Sequence, residues 1–123
     1  MIRTLLATAA LTALATTSQA EVEGDYISLA GHQYTHALAD DGTVSLTSLY
    51  PVARFTGFGA SMEVIMGTES LYLGRNCDAY SKVMGEGKWS ESNGGFRLEF
   101  DDLTIIFPRQ EIETAEDVSC MWN

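Results

Sequence analysis

The chain has 123 residues, 46% of them hydrophobic, with 7 basic and 17 acidic side chains and a formal net charge of -10. The hydrophobic fraction is too high for an intrinsically disordered chain, and the length predicts a single domain. The acidity argues against nucleic acid as a partner, because an acidic surface repels phosphate.

The first twenty residues have the pattern of a secretory signal peptide. After a basic start, residues 4–15 form an uncharged, mostly apolar run, and the small residues Ser18 and Ala20 precede a change in composition. We therefore expect cleavage after Ala20, one β domain over residues 21–123, and a periplasmic or secreted location. A buried N-terminal helix is the competing interpretation. No later segment approaches the roughly twenty apolar residues of a membrane-spanning helix.

Short β-prone runs separated by turn signals follow one another along the rest of the chain. Asp41-Gly42 and Asn93-Gly94 each lie between two such runs and predict hairpins, and Asp101-Asp102 predicts a tight turn. The predicted strands cover residues 25–29, 32–38, 43–50, 52–56, 62–66, 70–74, 88–91, 96–100 and 103–107.

Alternating apolar positions predict that each strand has one buried face. Examples are Phe96, Leu98 and Phe100 in one strand and Met62, Val64 and Met66 in another. One apolar and one wet face is typical of antiparallel sheets. We therefore predict an all-β domain, a small antiparallel meander barrel of about eight strands, with a two-layer β-sandwich as the alternative.

Cys77 and Cys120 are the two cysteines of the chain. In an exported protein an even number of cysteines indicates a disulfide, and only one pairing is possible. Two cysteines so far apart lack the further ligands of a metal site, and the chain has no Cys-x-x-Cys redox motif.

Residues 78–87 lack strict alternation and are predicted to form a long loop or a single helical turn next to the disulfide. Tyr80, Ser81 and Lys82 place an aromatic ring, a hydroxyl and a cation there, so we interpret them as a candidate binding loop. The alternative is that Tyr80 and Val83 cover one end of the barrel.

Catalytic and metal-binding motifs are lacking. His32, Tyr34 and His36 share one side of a predicted strand, and two histidines at that spacing suit a transition metal. A third ligand at motif spacing is missing, so we prefer a location at the surface or rim. Neither Gly-x-Ser-x-Gly nor a glycine-rich phosphate loop or calcium loop is present. We predict no enzyme activity, cofactor or metal.

The acidity suggests a binding or inhibitory module for a basic protein. The predicted mature chain retains six basic and seventeen acidic residues, a net charge of -11, which would steer association with a cationic partner. In size, single disulfide and acidity the chain resembles small exported β-proteins that inhibit lysozyme. It has no counterpart of that family's Ser-Gly and Thr-Lys-Gly segments, so the resemblance assigns no residue. Solubility in a saline medium would explain the same acidity.

A carrier of a small apolar ligand is the second hypothesis. Gly87-Lys88-Trp89 is similar to the Gly-x-Trp of lipocalins, and the aromatic residues Tyr72, Trp89, Phe96 and Phe100 are candidate lining of a barrel interior. A filled core is the alternative role for these rings. A subunit of an envelope assembly is a third possibility, and the sequence does not predict an oligomeric state.

Overall fold

A computed structural model describes residues 23–121, which form ten strands and one short 3-10 helix. The predicted signal peptide lies outside the described residues. In chain order the elements are β1 (Tyr26–Ile27), β2 (Gln33–Leu38), β3 (Val44–Ser48), β4 (Val52–Thr56), the 3-10 helix Gly59–Ser61, β5 (Glu63–Gly67), β6 (Ser70–Leu73), β7 (Asp78–Ser81), β8 (Gly85–Ser92), β9 (Gly95–Phe100) and β10 (Leu103–Pro108).

Eight of these strands form an antiparallel, nearly closed barrel in the order β1-β2-β3-β6-β7-β8-β9-β10. The first and last strands approach each other, since the Leu29 N–H donates to the Ile106 carbonyl at 2.7 Å. The Gln110 side chain extends the seam by accepting from the Ile27 N–H and donating to its carbonyl. The predicted small antiparallel barrel is confirmed, and the sandwich alternative is not needed.

Both predicted hairpins are present. In the first, the Ala39 N–H donates to the Thr43 carbonyl at 2.9 Å and the Gly42 N–H to the Ala39 carbonyl at 3.0 Å. Gly42 has a φ of 93°, a left-handed conformation that glycine adopts without steric cost. The second joins β8 to β9 with Ser92 opposite Gly95.

The strands β4 and β5 exist as predicted but do not belong to the barrel. Among residues 23–121 they pair only with each other, as a two-stranded hairpin inserted between β3 and β6. The position that β4 would occupy in a meander is taken by β6, which pairs with β3 through Leu46 and Leu71. The barrel strands therefore follow one another in chain order, as in a meander, with this hairpin as an insertion.

The prediction of a long loop or helical turn over residues 78–87 is wrong. Residues 78–81 form strand β7, and only residues 82–84 remain as a turn before β8. Ala79 and Ser81 point inward and are almost fully buried, whereas Tyr80 between them is exposed. The alternation was not recognised in the sequence because the inward positions, Ala79 and Ser81, carry small side chains instead of large apolar ones.

Side chains fill the barrel interior. Tyr34, Leu46, Leu71, Leu98 and Phe107 have no measurable solvent exposure. The rings of Phe96 and Phe107 stack with centroids 4.5 Å apart, and Tyr34 packs edge-on against Phe107 at 5.5 Å. Such offset and edge-on pairs add to the free energy gained from burial.

The predicted disulfide is confirmed: Cys77 and Cys120 are bonded, with Cα atoms 5.5 Å apart. It joins the β6–β7 turn to the segment that follows β10. The Trp89 indole N–H donates to the Gly74 carbonyl in the same turn, at 2.8 Å. Within residues 23–121, no helix is long and apolar enough to span a membrane.

The topology gives the barrel two distinct ends. The disulfide end carries the β2–β3, β6–β7 and β8–β9 turns. The hairpin end carries the β1–β2 loop, the β4–β5 hairpin, the β7–β8 turn and the β9–β10 turn. The candidate functional site lies at the hairpin end.

Candidate functional site

The outer face of the β4–β5 hairpin is apolar and exposed to solvent. Residues opposite each other in an antiparallel pair share a face, and Phe55 lies opposite Val64 while Ala53 lies opposite Met66. Phe55 is 67% exposed and Met66 66%. Phe58, in the turn that joins the two strands, is also exposed. Contiguous exposed apolar side chains of this kind mark interaction surfaces.

The sequence predicted that Met62, Val64 and Met66 lie on one buried face. Val64 and Met66 share a face, but all three side chains are more than half exposed. Alternation shows which side chains share a face, and a second layer must cover that face for it to be buried. This face has no covering layer among residues 23–121.

A buried ionic cluster attaches the hairpin to the barrel. Arg54 on β4 forms a bidentate ion pair with Glu69: Nε donates to Oε2 and Nη2 donates to Oε1, both at 2.7 Å. The Tyr34 hydroxyl donates to the same carboxylate at 2.8 Å. The Ser48 hydroxyl accepts from the Glu69 backbone N–H at 2.8 Å. The carboxylate thus has three donors, which compensate for its removal from water.

The cluster keeps Tyr34 in its neutral form. Burial raises the pKa of the Tyr34 hydroxyl well above its usual value, and the neighbouring Glu69 charge raises it further. The hydroxyl therefore acts as a hydrogen-bond donor and not as an acid at neutral pH. Arg54 lies on the barrel-facing side of β4, opposite Ile65, so the ion pair fixes which face of the hairpin is turned outward.

A groove separates the hairpin from the rim of the barrel. Its volume is about 480 Å³. One wall consists of residues 53–57 of β4 and the turn after it. The opposite wall consists of Val83 and Met84 from the β7–β8 turn and of residues 100–103 from the β9–β10 turn. The lining of the groove is mixed: apolar side chains alternate with polar ones, and it includes the exposed carboxylates of Asp101 and Asp102.

The candidate binding-loop residues are separated by strand geometry. Tyr80 lies on the outer face of β7, where its ring lies 6.3 Å from the Tyr72 ring, and Lys82 lies in the exposed β7–β8 turn. Ser81 is buried, and its hydroxyl accepts from the Met84 N–H at 3.2 Å. The structure therefore does not bring the three side chains to one surface.

Three of the four candidate interior residues are in the core. Trp89, Phe96 and Phe100 are buried among the residues that fill the barrel. Tyr72 lies on the outer surface, because Leu71 and Leu73 on either side of it point inward. The rings of Trp89, Phe96 and Phe100 therefore belong to a packed interior.

The two histidines do not form a metal site with Tyr34. Tyr34 is fully buried, and the His36 Nε2 donates to the Glu113 carbonyl at 2.9 Å. No group of three potential metal ligands occurs among the residues that the structure describes.

Several carboxylates that are distant in sequence come close together beside the last segment of the chain. The Tyr26 hydroxyl donates to the Glu111 carbonyl and accepts from the Glu113 N–H. Burial raises the pKa of Tyr26, and the charges of Glu113 and Asp25 raise it further. Burial also raises the pKa of Glu91, with a contribution from Glu111. The fold therefore concentrates negative charge here, which the linear sequence does not show.

Arg54, Phe55 and Glu69 were not predicted as members of a site. For Phe55 the sequence holds one signal, because Pro51 and Gly57 bracket its strand, a pattern that fits a short hairpin outside the barrel. Arg54 and Glu69 had no such signal, because their pairing depends on how the hairpin folds back.

No family model, curated protein or solved structure matches this chain.

Proposed function

We propose that this protein is a non-catalytic binding module that acts outside the cytoplasm and docks onto a basic protein through the outer face of the β4–β5 hairpin. The observation that carries the proposal is the apolar outer face of Phe55, Val64 and Met66, all more than half exposed, with the half-buried Ala53 beside them; the Arg54–Glu69 ion pair holds this face outward. Exposing such a face in water is unfavourable, so its retention by a charge-anchored hairpin supports a role in recognition.

The charge of the chain supports a cationic partner. A net charge of -10 repels a second copy of the chain and attracts a basic surface. The disulfide supports a location outside the cytoplasm, where such bonds persist. The filled interior favours this proposal over a lipocalin-like carrier, which needs an internal cavity.

Retention on immobilised lysozyme, used as a representative basic protein, tests the proposal directly. We expect retention at low salt that weakens at moderate salt, because salt screens exposed charges. The double variant Val64→Ser/Met66→Ser should reduce retention by about tenfold or more, since apolar burial contributes 1.5–3 kcal/mol for each fully buried side chain.

The control is Leu38→Ser/Ile106→Ser, which removes two exposed apolar side chains from the barrel wall. Immobilised ovalbumin, an acidic protein, serves as the charge control. The proposal is wrong if the protein is not retained on lysozyme at either salt concentration. It is equally wrong if the hairpin and barrel-wall variants lose the same affinity, or if the protein is retained on ovalbumin as well.

A further inference from the structure

The groove beside the hairpin is bordered by a free strand edge. β4 pairs with β5 along one edge only, and its other edge has no strand partner among the described residues. Residues 53–57 all line the groove, although side chains of consecutive strand residues point to opposite faces. The backbone of β4 therefore borders the groove. A free edge presents a row of N–H and C=O groups to which another extended chain can bind.

The opposite wall has the chemistry for a cationic side chain. Val83, Met84 and Leu103 provide apolar surface for a methylene chain, and Asp101 and Asp102 lie where the groove meets solvent. Neither carboxylate has a hydrogen-bond or ion-pair partner within residues 23–121. The remaining charge in the lining is that of Arg54, which is balanced by Glu69.

We propose that this groove binds an extended, lysine- or arginine-bearing segment of the partner, which adds to the free edge of β4 as a third strand. The inference rests on the proposed function and specifies how the partner is recognised. Main-chain hydrogen bonds to β4 give affinity, as in other cases of strand addition. A basic side chain places its stem against Leu103 and its charged group at Asp101 and Asp102, which selects for basic sequences.

A second copy of the chain is the less favourable occupant. Two molecules of net charge -10 repel each other, and the aspartates at the edge would repel an acidic strand. A basic segment meets complementary charge at the same edge. The charge of the groove therefore favours a basic partner over self-association.

The test uses the purified chain and a short fluorescent peptide of alternating lysine and valine, with binding followed by anisotropy at low salt. Asp101→Asn/Asp102→Asn should weaken binding by about three- to tenfold, the expected effect of two exposed ion pairs. The matched control is Asp40→Asn/Asp41→Asn, which removes an aspartate pair from the turn at the disulfide end. A peptide of alternating glutamate and valine should not bind.

Strand addition has its own readout. Two lysine–valine peptides can be made, each methylated at every second backbone nitrogen. The one whose methyl groups block the N–H groups that pair with β4 should bind much more weakly than the unmodified peptide. The unmodified peptide should also protect amides within residues 53–57 from hydrogen exchange. Equal loss in both aspartate variants would mean non-specific attraction and overturn the proposal. Unchanged affinity of both possible alternately methylated peptides, or absence of protection in β4, would also overturn it.

These outcomes are separable from those of the proposed function. Val64 and Met66 do not line the groove, so their variants test docking of the hairpin face alone. If the protein is retained on lysozyme through that face but the peptide does not bind, strand addition is wrong and the proposed function stands. If the peptide binds with β4 protection but the protein is not retained on lysozyme, docking through the outer face is wrong.

Discussion

Replacement of Arg54 by alanine should strongly destabilise the protein. The side chains of Arg54 and Glu69 are 13% and 5% exposed, so solvent screens their interaction little. Arg54→Ala would leave the Glu69 carboxylate buried with only the Tyr34 hydroxyl as a side-chain donor. Removing one partner of a buried ion pair costs about 3–5 kcal/mol. For a domain of this size, that corresponds to a fall in Tm of about 12–40 °C.

Thermal and urea unfolding followed by circular dichroism provide the measurement. The informative control is Arg54→Met/Glu69→Leu, which replaces both charges by apolar groups and should be far less destabilising than Arg54→Ala. Surface control Arg75→Ala removes an exposed pair with Asp117 and should change stability by less than about 1 kcal/mol. If Arg54→Ala and Arg75→Ala have similar effects, the buried ion pair is not an anchor.

Three other predictions concern the barrel. The free energy of unfolding should decrease as pH rises above about 10. The raised pKa keeps Tyr34 protonated in the folded state, whereas a tyrosine in the unfolded chain ionises near that pH. Absorbance at 295 nm should therefore show ionisation of Tyr34 only on unfolding. Reduction of Cys77–Cys120 should cost about 4 kcal/mol, measured as a fall in Tm with reductant; an unchanged Tm would contradict it. Gly95→Ala should be much more destabilising than Gly31→Ala in the same assay, since both glycines have positive φ but only at Gly95 would a Cβ collide with neighbouring backbone.

Most of the barrel could be predicted because local signals and global structure agree there. Phe96, Leu98 and Phe100 alternate with polar residues, and β9 buries that apolar face in the core. Asp41-Gly42 supplies the left-handed glycine that the first hairpin needs. Where pattern, turn chemistry and burial agree in this way, strand positions follow from the sequence.

The β4–β5 hairpin has the same local pattern as the barrel strands but does not join the barrel. Strand pairing is decided by tertiary competition, in which β6 pairs with β3 and leaves β4 with β5 alone. Alternation carries no information about which strands are neighbours. The prediction that Val64 lies on a buried face therefore failed, although the assignment of residue 64 to a strand was correct. The ion pair of Arg54 with Glu69 was invisible for the same reason.

The acidity of the chain and its exposed hairpin are connected by the problem of self-association. In the described part of the chain, both outer edges of the hairpin lack a strand partner, and such edges beside an apolar face are sites at which identical molecules pair and aggregate. Placing charges near such an edge is a general way to oppose that pairing, and Glu63, Asp101 and Asp102 lie on or beside this hairpin. The same charges that repel a second copy attract a basic strand. If the hairpin binds a basic strand as proposed, negative charge at this end of the barrel would both keep the hairpin free and select what binds it.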